Sequence, residues 1–369
     1  MSSHEPEHRG PTADRQVPAR SRWHGWRVLR RGLTGLMGLI ALLAVSGATY
    51  NSLALRHLRS ATPPPGKFYT VEGRRMHLYC IGSGSPTVVL VSGRAESFLV
   101  WGKVQTPLSR LTRVCAYDRA GLGWSDAPGG PMVADAIAGR LHGLLEQAGI
   151  DGTLVLMGHS AGGLYARDYA GRFPKQIAGL VLVDATSVSE KRNMPASIIA
   201  ANHHGALAVA VFQASIALGI PRLMGQCDTP PPGFEATADL WRADACKPSY
   251  VSAYRRESAG WSKTLSEVNR FGSFGALPLL VLSRDPHPVR QDLPGTVSAS
   301  DYARGMRIHD ANQQGLLRLS GNSRRIIASG SGHYIHFQRP DLLVREAGDF
   351  IRHIREGRSM SGRGTTITE

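Results

Sequence analysis

The chain has 369 residues, of which 42% are hydrophobic and 19% are charged, and its formal net charge is +15. These proportions are typical of globular proteins, and they exclude a disordered chain and a membrane protein with many spans. The basic excess does not indicate a nucleic-acid partner, because the sequence has neither a basic helix interleaved with aromatic residues nor a zinc-ligand spacing.

The first predicted element is a single transmembrane helix over residues 33–55. No Asp, Glu, Lys or Arg stands between Arg31 and Arg56, and about 20 apolar residues suffice to cross about 30 Å of hydrocarbon. Residues 1–32 form an arginine-rich leader, which the positive-inside rule places in the cytoplasm. We therefore expect a membrane-anchored protein whose remaining chain faces the periplasm or the cell exterior; a cleaved signal peptide is the alternative.

The rest of the chain alternates short apolar runs with segments of helical periodicity. Residues 56–66, with three consecutive prolines, are predicted to be a linker, residues 67–357 the folded domain, and residues 358–369 a disordered tail. The predicted strands are 68–71, 76–81, 87–91, 114–117, 153–157, 179–183, 279–282 and 325–328, and the predicted helices are 132–148, 161–173, 303–319 and 340–355. This alternation predicts an α/β fold with a mostly parallel central sheet and helices on both faces.

The interval from about 186 to 276 interrupts that alternation. Its length of about 90 residues is too great for a simple connection, and it contains alanine-rich helical stretches and a proline cluster. We expect a helical cap that shapes a substrate pocket.

Four cysteines are too few for a disulfide scaffold. Cys227 and Cys246 lie in one proline-rich stretch, and in an oxidising compartment we expect them to form a disulfide. Cys80 and Cys115 fall within apolar, strand-like runs and are expected to be separate buried thiols.

The segment Gly158-His159-Ser160-Ala161-Gly162 follows a predicted strand and precedes a predicted helix. This context is that of a nucleophile elbow, in which glycines permit a sharp turn and the serine hydroxyl projects at a helix N-terminus. Ser160 is therefore the candidate nucleophile, and His159 is expected to be structural.

A serine hydroxyl needs a general base, and His333 follows the Ser331-Gly332 turn after the last predicted strand. His336 is a local competitor. For the acid that orients the histidine, two aspartates end suitable strands: Asp184 ends the strand after the nucleophile helix, and Asp285 follows the next strand. The sequence leaves both open, with a slight preference for Asp184.

The segments Gly158–Gly163, Tyr117–Asp126 and Ser331–His333 together resemble the α/β-hydrolase superfamily, and the resemblance covers about residues 67–357. It implies the α/β-hydrolase fold. In that superfamily the acid most often stands where Asp285 lies here, whereas the turn before Asp285 is one residue shorter than usual. Further segments, Leu180–Asp184 and Leu319–Ser323, are similar to bacterial hydrolases known mainly by their fold.

The oxyanion hole is expected to use the backbone amides of Ala161 and Arg94. The superfamily usually shows His-Gly where this chain has Ser92-Gly93, which is a departure. We expect no cofactor and no metal, because His203, His204 and His287 lack a paired carboxylate or cysteine spacing.

These residues predict hydrolysis of a small carboxylic ester through an acyl-enzyme intermediate. Amides, thioesters and carbon–carbon bonds are alternative substrates for the same machinery, whereas the epoxide and haloalkane hydrolases of this fold resemble enzymes with an aspartate nucleophile. A catalytically silent, membrane-tethered binding protein on the same scaffold is the alternative from another class.

Overall fold

The computed structural model describes residues 20–190, 192–201, 205–287, 297–360 and 366–369. The predictions for residues 1–19 of the leader, for residues 361–365 of the tail, and for His203 and His204 lie outside the described residues.

The strands are β1 (Lys67–Val71), β2 (Arg74–Ile81), β3 (Thr87–Val91), β4 (Val114–Tyr117), β5 (Leu154–His159), β6 (Ile177–Val183), β7 (Leu279–Arg284), β8 (Ser323–Ala328) and β9 (Thr366–Thr368). The helices are α1 (Arg20–Ala61), α2 (Gly102–Leu108), α3 (Ala134–Gln147), α4 (Ala161–Arg172), α5 (Ala196–Ala201), α6 (Ala206–Ala217), α7 (Ile220–Leu223), α8 (Ala238–Asp244), α9 (Pro248–Ala259), α10 (Trp261–Asn269), α11 (Ala299–Leu316), α12 (Ile335–Gln338) and α13 (Pro340–Arg355).

The strands form one sheet in the order β1-β2-β4-β3-β5-β6-β7-β8-β9. Strand β2 is antiparallel to both of its neighbours, and every pairing from β4 to β9 is parallel. The central strands are buried on both faces, because alternate side chains enter two cores: Val89 and Val91 of β3 pack in one, and Val88 and Leu90 in the other. The predicted α/β fold with a mostly parallel sheet is confirmed.

The parallel order places the carboxyl ends of β5, β6 and β7 side by side at one edge of the sheet. His159 pairs with Val183, and Val183 pairs with Leu282. The loops that leave these three strands therefore meet, which is where an open parallel sheet binds ligands. Helices α5 to α10 fill the interval between β6 and β7 that is predicted to form a cap.

Helix α1 is longer than the predicted anchor. It runs without a break from Arg20 to Ala61, so residues 56–61, predicted as linker, are helical. Of the described residues, Gly25–Ala61 alone forms a helix long and apolar enough to cross a membrane, by length and composition. At the other end, the prediction of disorder is wrong for Thr366–Thr368, which add a strand beside β8 because main-chain pairing can extend a parallel sheet edge.

Both pairs of cysteines form disulfides. The predicted Cys227–Cys246 bond is present, with 5.8 Å between the Cα atoms. The prediction of two separate thiols is wrong: Cys80 and Cys115 are bonded, because β2 and β4 are antiparallel neighbours whose register sets these residues directly opposite each other.

Candidate active site

The turn between β5 and α4 has the shape of a nucleophile elbow. Ser160 adopts φ +53° and ψ −123°, a conformation that a non-glycine residue holds only when its surroundings impose it. A side chain at Gly162 would collide with the carbonyl oxygen of Val91, and one at Gly158 with the backbone of Gly162. These glycines therefore let the elbow pack against β3 while Ser160 begins helix α4.

Asp184 and His333 are in direct contact. The His333 Nδ1 atom lies 2.6 Å from the Asp184 Oδ2 atom, and the Asp184 side chain is buried. Asp184 directly follows β6, next to the elbow, so the structure brings Ser160, His333 and Asp184 to the same edge of the sheet. In the part of the chain that is described, no hydrogen bond joins Ser160 Oγ to His333, and catalytic contacts of this kind tighten when substrate binds.

Two further residues, which sequence reasoning missed, converge on Asp184. Arg284 donates from its backbone N to Oδ1 at 3.0 Å and from Nε to Oδ2 at 2.7 Å, while His309 Nε2 lies 2.9 Å from Oδ1. Burial opposes ionisation of Asp184, but Arg284 and His309 outweigh it and hold its pKa well below the usual value. The parallel register of β6 and β7 is the signal that could have predicted Arg284, since it sets the ends of these strands side by side.

His333 carries a strongly perturbed pKa. Burial is the main cause, and it lowers the pKa from 6.5 to about 4; Asp184 opposes this shift, while His159 and Arg284 add to it. Arg284 is close enough to matter, because its Nη2 atom lies 2.8 Å from His333 Nδ1. The ring is therefore neutral, and able to accept a proton, down to acidic pH.

Asp285, the other candidate acid, does not contact His333 in the described structure. Its carboxylate accepts hydrogen bonds from the backbone N–H groups of Gly330 and His287, both at 2.8 Å. These contacts are those of a turn-capping carboxylate. The structure thus joins the histidine to Asp184 and leaves Asp285 in the neighbouring loop.

The loop after β3 offers one free amide beside the elbow. The N–H groups of Gly93 and Ala95 donate to the carboxylates of Glu96 and Glu257, at 2.6 and 3.2 Å. Among the described residues, the N–H group of Arg94 between them has no partner, and neither has that of Ala161, the first residue of α4. Both predicted oxyanion donors are therefore available, and a helix N-terminus adds favourable electrostatics at Ala161.

A buried ion pair from the cap holds this loop in place. Glu257 of α9 accepts from Arg119 Nε at 2.9 Å, and Arg119 also donates to the Ser92 carbonyl at 2.7 Å. Because Glu257 also binds the Ala95 amide, cap and loop are fixed together. Sequence reasoning missed Glu257, since its partners lie more than 130 positions away in the chain.

His159 has the structural place expected of it. Its Nδ1 atom lies 3.1 Å from Glu96 Oε2, and its Nε2 atom lies 3.1 Å from the His333 carbonyl. His336, the competitor of His333, is buried between the rings of Trp101 and His159, with centroids at 5.0 and 4.3 Å. The ligand atoms of Glu96, His159 and His336 lie within 4.8 Å of one another, close enough for a metal ion. Glu96 and His159 already contact each other, and through His159 the cluster links residues 92–96, the predicted oxyanion loop, to residues 331–336, the histidine loop.

Comparison with known proteins bears on the fold. Residues 86–213 match the family model described as alpha/beta hydrolase fold. An uncharacterized protein of Schizosaccharomyces pombe is 36% identical over 166 residues, which cover 37% of this chain and 31% of that protein. The 2-hydroxy-6-oxo-2,4-heptadienoate hydrolase of Pseudomonas putida is 34% identical over 128 residues, which cover 34% of this chain and 46% of that protein. Among solved structures, the epoxide hydrolase CorEH superposes with a TM-score of 0.59 at 19% identity, covering 78% of this chain and 99% of that one.

The motifs, the strand order and these matches agree that the chain has the α/β-hydrolase fold. The resemblance stated from the motifs is confirmed. The matches span about a third to a half of the length of several curated relatives, and the likeness to solved structures concerns the fold alone.

Proposed function

We propose that this protein is a serine hydrolase that cleaves carboxylic esters through a Ser160–His333–Asp184 triad. The observation that carries the proposal is the 2.6 Å contact between His333 and Asp184 at the same sheet edge as the strained Ser160. A residue that is held in such a conformation at the end of a parallel strand is typical of a catalytic serine.

The geometry suits acyl transfer to water. His333 accepts the proton of Ser160 Oγ as that oxygen attacks the ester carbonyl, and the amides of Ala161 and Arg94 bind the resulting oxyanion. The intermediate collapses when His333 gives its proton to the alkoxide, which leaves as the alcohol. Water, deprotonated by His333, then attacks the acyl-enzyme and releases the carboxylic acid, returning the proton to Ser160. Asp184 orients the imidazole and stabilises its cation throughout.

Ser160 favours ester hydrolysis over epoxide hydrolysis, because the epoxide hydrolases of this fold are expected to use an aspartate as the nucleophile at the position of Ser160. A second candidate is hydrolysis of a carbon–carbon bond next to a ketone. The local similarity to a hydrolase named for a 2-hydroxy-6-oxo-dienoate favours it, and the same Ser, His and oxyanion donors would serve it.

We further propose that α1 anchors the enzyme in a membrane with the hydrolase domain outside the cytoplasm. The uncharged segment between Arg31 and Arg56 supports anchorage, and the arginines before it support this orientation. The two disulfides agree with an oxidising compartment.

The test is labelling of the full chain, purified in detergent, with a fluorophosphonate probe, followed by a panel of p-nitrophenyl esters and a vinylogous diketo acid. We expect the wild type to label and to hydrolyse esters, and Ser160→Ala and His333→Ala to do neither. A folded wild-type chain that never labels would overturn the serine-hydrolase proposal in favour of a binding protein. Turnover of the diketo acid with no ester turnover would select the second candidate.

A further inference from the structure

The cap exposes an apolar face on α6 and α7. This cap apolar face consists of five residues that are between 56% and 78% exposed: Leu207, Val211 and Phe212 of α6, Leu223 of α7, and Met224 directly after it. Large exposed apolar patches on a folded protein mark sites of interaction with another protein or with a membrane. The question is which of these covers it.

The segment that carries this face is almost free of charge. Between Gly205 and Gly225 the one Asp, Glu, Lys or Arg is Arg222, whose guanidinium is buried and bonded to Asn51 and to the Ala245 carbonyl. Helix α6 carries apolar side chains on every side and has only two polar residues, Gln213 and Ser215, a composition typical of helices buried in a core or in lipid. Its 12 residues are too few to span a bilayer, and this length suits an interfacial segment.

Helix α1 fixes where this segment lies relative to a membrane. The 20 residues from Arg31 to Asn51 rise about 30 Å along the helix, which is about the thickness of the hydrocarbon core. If Arg31 marks the inner boundary, Asn51 lies at the outer one. The lipid boundary therefore crosses α1 close to Asn51.

The last turn of α6 and its connection to α7 pack on α1 at that same level. Asn51 is buried and donates from Nδ2 to the Ile216 carbonyl at 2.9 Å. The backbones of Gly47 and Leu218 approach so closely that a side chain at Gly47 would collide with the Leu218 carbonyl. The carboxyl end of α6, which carries the cap apolar face, therefore contacts α1 at the level of the lipid boundary.

From this juxtaposition we infer that the cap apolar face inserts into the outer boundary of the bilayer that α1 spans; the inference rests on the proposed anchorage. The occupant is lipid: acyl chains and the apolar parts of headgroups cover α6 and α7. Helix α6 also packs on α9 through Gln213, which bonds to Ser252 and Arg255. Helix α9 also carries Tyr254, whose ring centroid lies 4.8 Å from the Cζ atom of Arg94 in the oxyanion loop. A single helix, α9, therefore separates α6 at the lipid boundary from the active site. The substrate class that this arrangement selects is an ester that partitions into membranes.

The first experiment measures depth without using activity. All four cysteines are in disulfides, so a single introduced cysteine can carry a nitroxide label. The full chain is reconstituted in phosphatidylcholine–phosphatidylglycerol vesicles, with labels at Leu207→Cys and Phe212→Cys. Leu39→Cys, in the middle of α1, is the control for lipid exposure. Leu111→Cys, exposed at the amino-terminal edge of the sheet, is the control for water.

We expect the labels at 207 and 212 to collide with oxygen as often as the label at 39 does, and to be shielded from a water-soluble nickel complex. The label at 111 should collide with the nickel complex. Labels at 207 and 212 that behave like the one at 111, beside a lipid-exposed label at 39, would overturn the inference and leave the anchor intact. A water-exposed label at 39 would overturn the anchorage, and the inference with it. Dipolar broadening between labels of two chains would assign the face to a second copy and also overturn the inference.

The second experiment tests the consequence for substrate. We expect Phe212→Asp to lower turnover of an ester carried in vesicles by about tenfold, since one charge weakens insertion of a short apolar segment, while turnover of a water-soluble ester is unchanged. Leu111→Asp is the matched control and should change neither. An equal loss on both esters in Phe212→Asp would contradict the membrane role, and absence of turnover in the wild type would count against the proposed function instead.

Discussion

Asp184 and Asp285 can be distinguished by matched Asn substitutions. In Asp184→Asn the carboxylate that accepts from Arg284, His309 and His333 becomes a neutral amide. The amide cannot stabilise the imidazolium and can present a donor to a donor, so we expect kcat to fall about 10⁴-fold. At about 1.4 kcal/mol for each factor of ten, this loss is about 5.6 kcal/mol of transition-state stabilisation.

The same substitution also costs stability. Arg284 loses its counterion while only 20% of its side chain is exposed, and removal of one partner of a buried pair costs about 3 kcal/mol. In Asp285→Asn two hydrogen bonds from backbone amides weaken, for about 1 kcal/mol, and His333 loses no partner. We therefore expect that variant to keep kcat within about threefold of the wild type.

The assay measures kcat for ester hydrolysis at 25 °C, with the concentration of active sites determined by phosphonate titration. Circular dichroism and urea unfolding of each variant separate loss of chemistry from loss of fold. A kcat that falls by three orders of magnitude in folded Asp285→Asn, beside a wild-type kcat in Asp184→Asn, would refute the assignment of Asp184 as the acid. Equal, modest losses in both variants would show that neither carboxylate stabilises the imidazolium.

Two further predictions follow from the pKa of His333 and from the disulfides. Because the base must be neutral and burial lowers the His333 pKa to about 4, kcat/KM should stay on its plateau at pH 6 and fall as the pH drops through about 4; a pH profile with an acid limb centred near 6.5 would contradict this. Removing the Cys80–Cys115 disulfide, which closes a loop of 35 residues, should lower the free energy of unfolding by about 4 kcal/mol. Removing Cys227–Cys246, which closes a loop of 19 residues, should lower it by about 3 kcal/mol. Urea unfolding of Cys80→Ser/Cys115→Ser and Cys227→Ser/Cys246→Ser measures this, and mass spectrometry after alkylation without reductant should find no free thiol in the wild type.

The elements that follow from local pattern were predicted closely from the sequence. Strand β3 has the bounds Thr87–Val91 in both, because an uninterrupted apolar run between turn residues is recognisable without knowledge of its neighbours. The elbow around Ser160 was predicted for a similar reason, since its glycines, strand and helix are contiguous in the chain.

Contacts that depend on which strands and helices become neighbours were not predicted. Cys80 and Cys115 pair only because β2 inserts between β1 and β4. Glu257 reaches the oxyanion loop from the cap, and Arg284 reaches Asp184 through the register of two parallel strands. The choice between Asp184 and Asp285 stayed open for the same reason, as both end strands at the same edge.

The bond between Asn51 and Arg222 bears on how the enzyme is made for study. A soluble form that begins after the membrane segment is a common way to express an anchored enzyme, but here it would remove the side chain that accepts from the buried Arg222 guanidinium, 3.0 Å away. It would also uncover the cap at Ile216, where Asn51 now donates. Kinetic constants from such a truncated form would describe a cap that lacks one of its walls, so α1 is a part of the hydrolase domain as well as its proposed anchor.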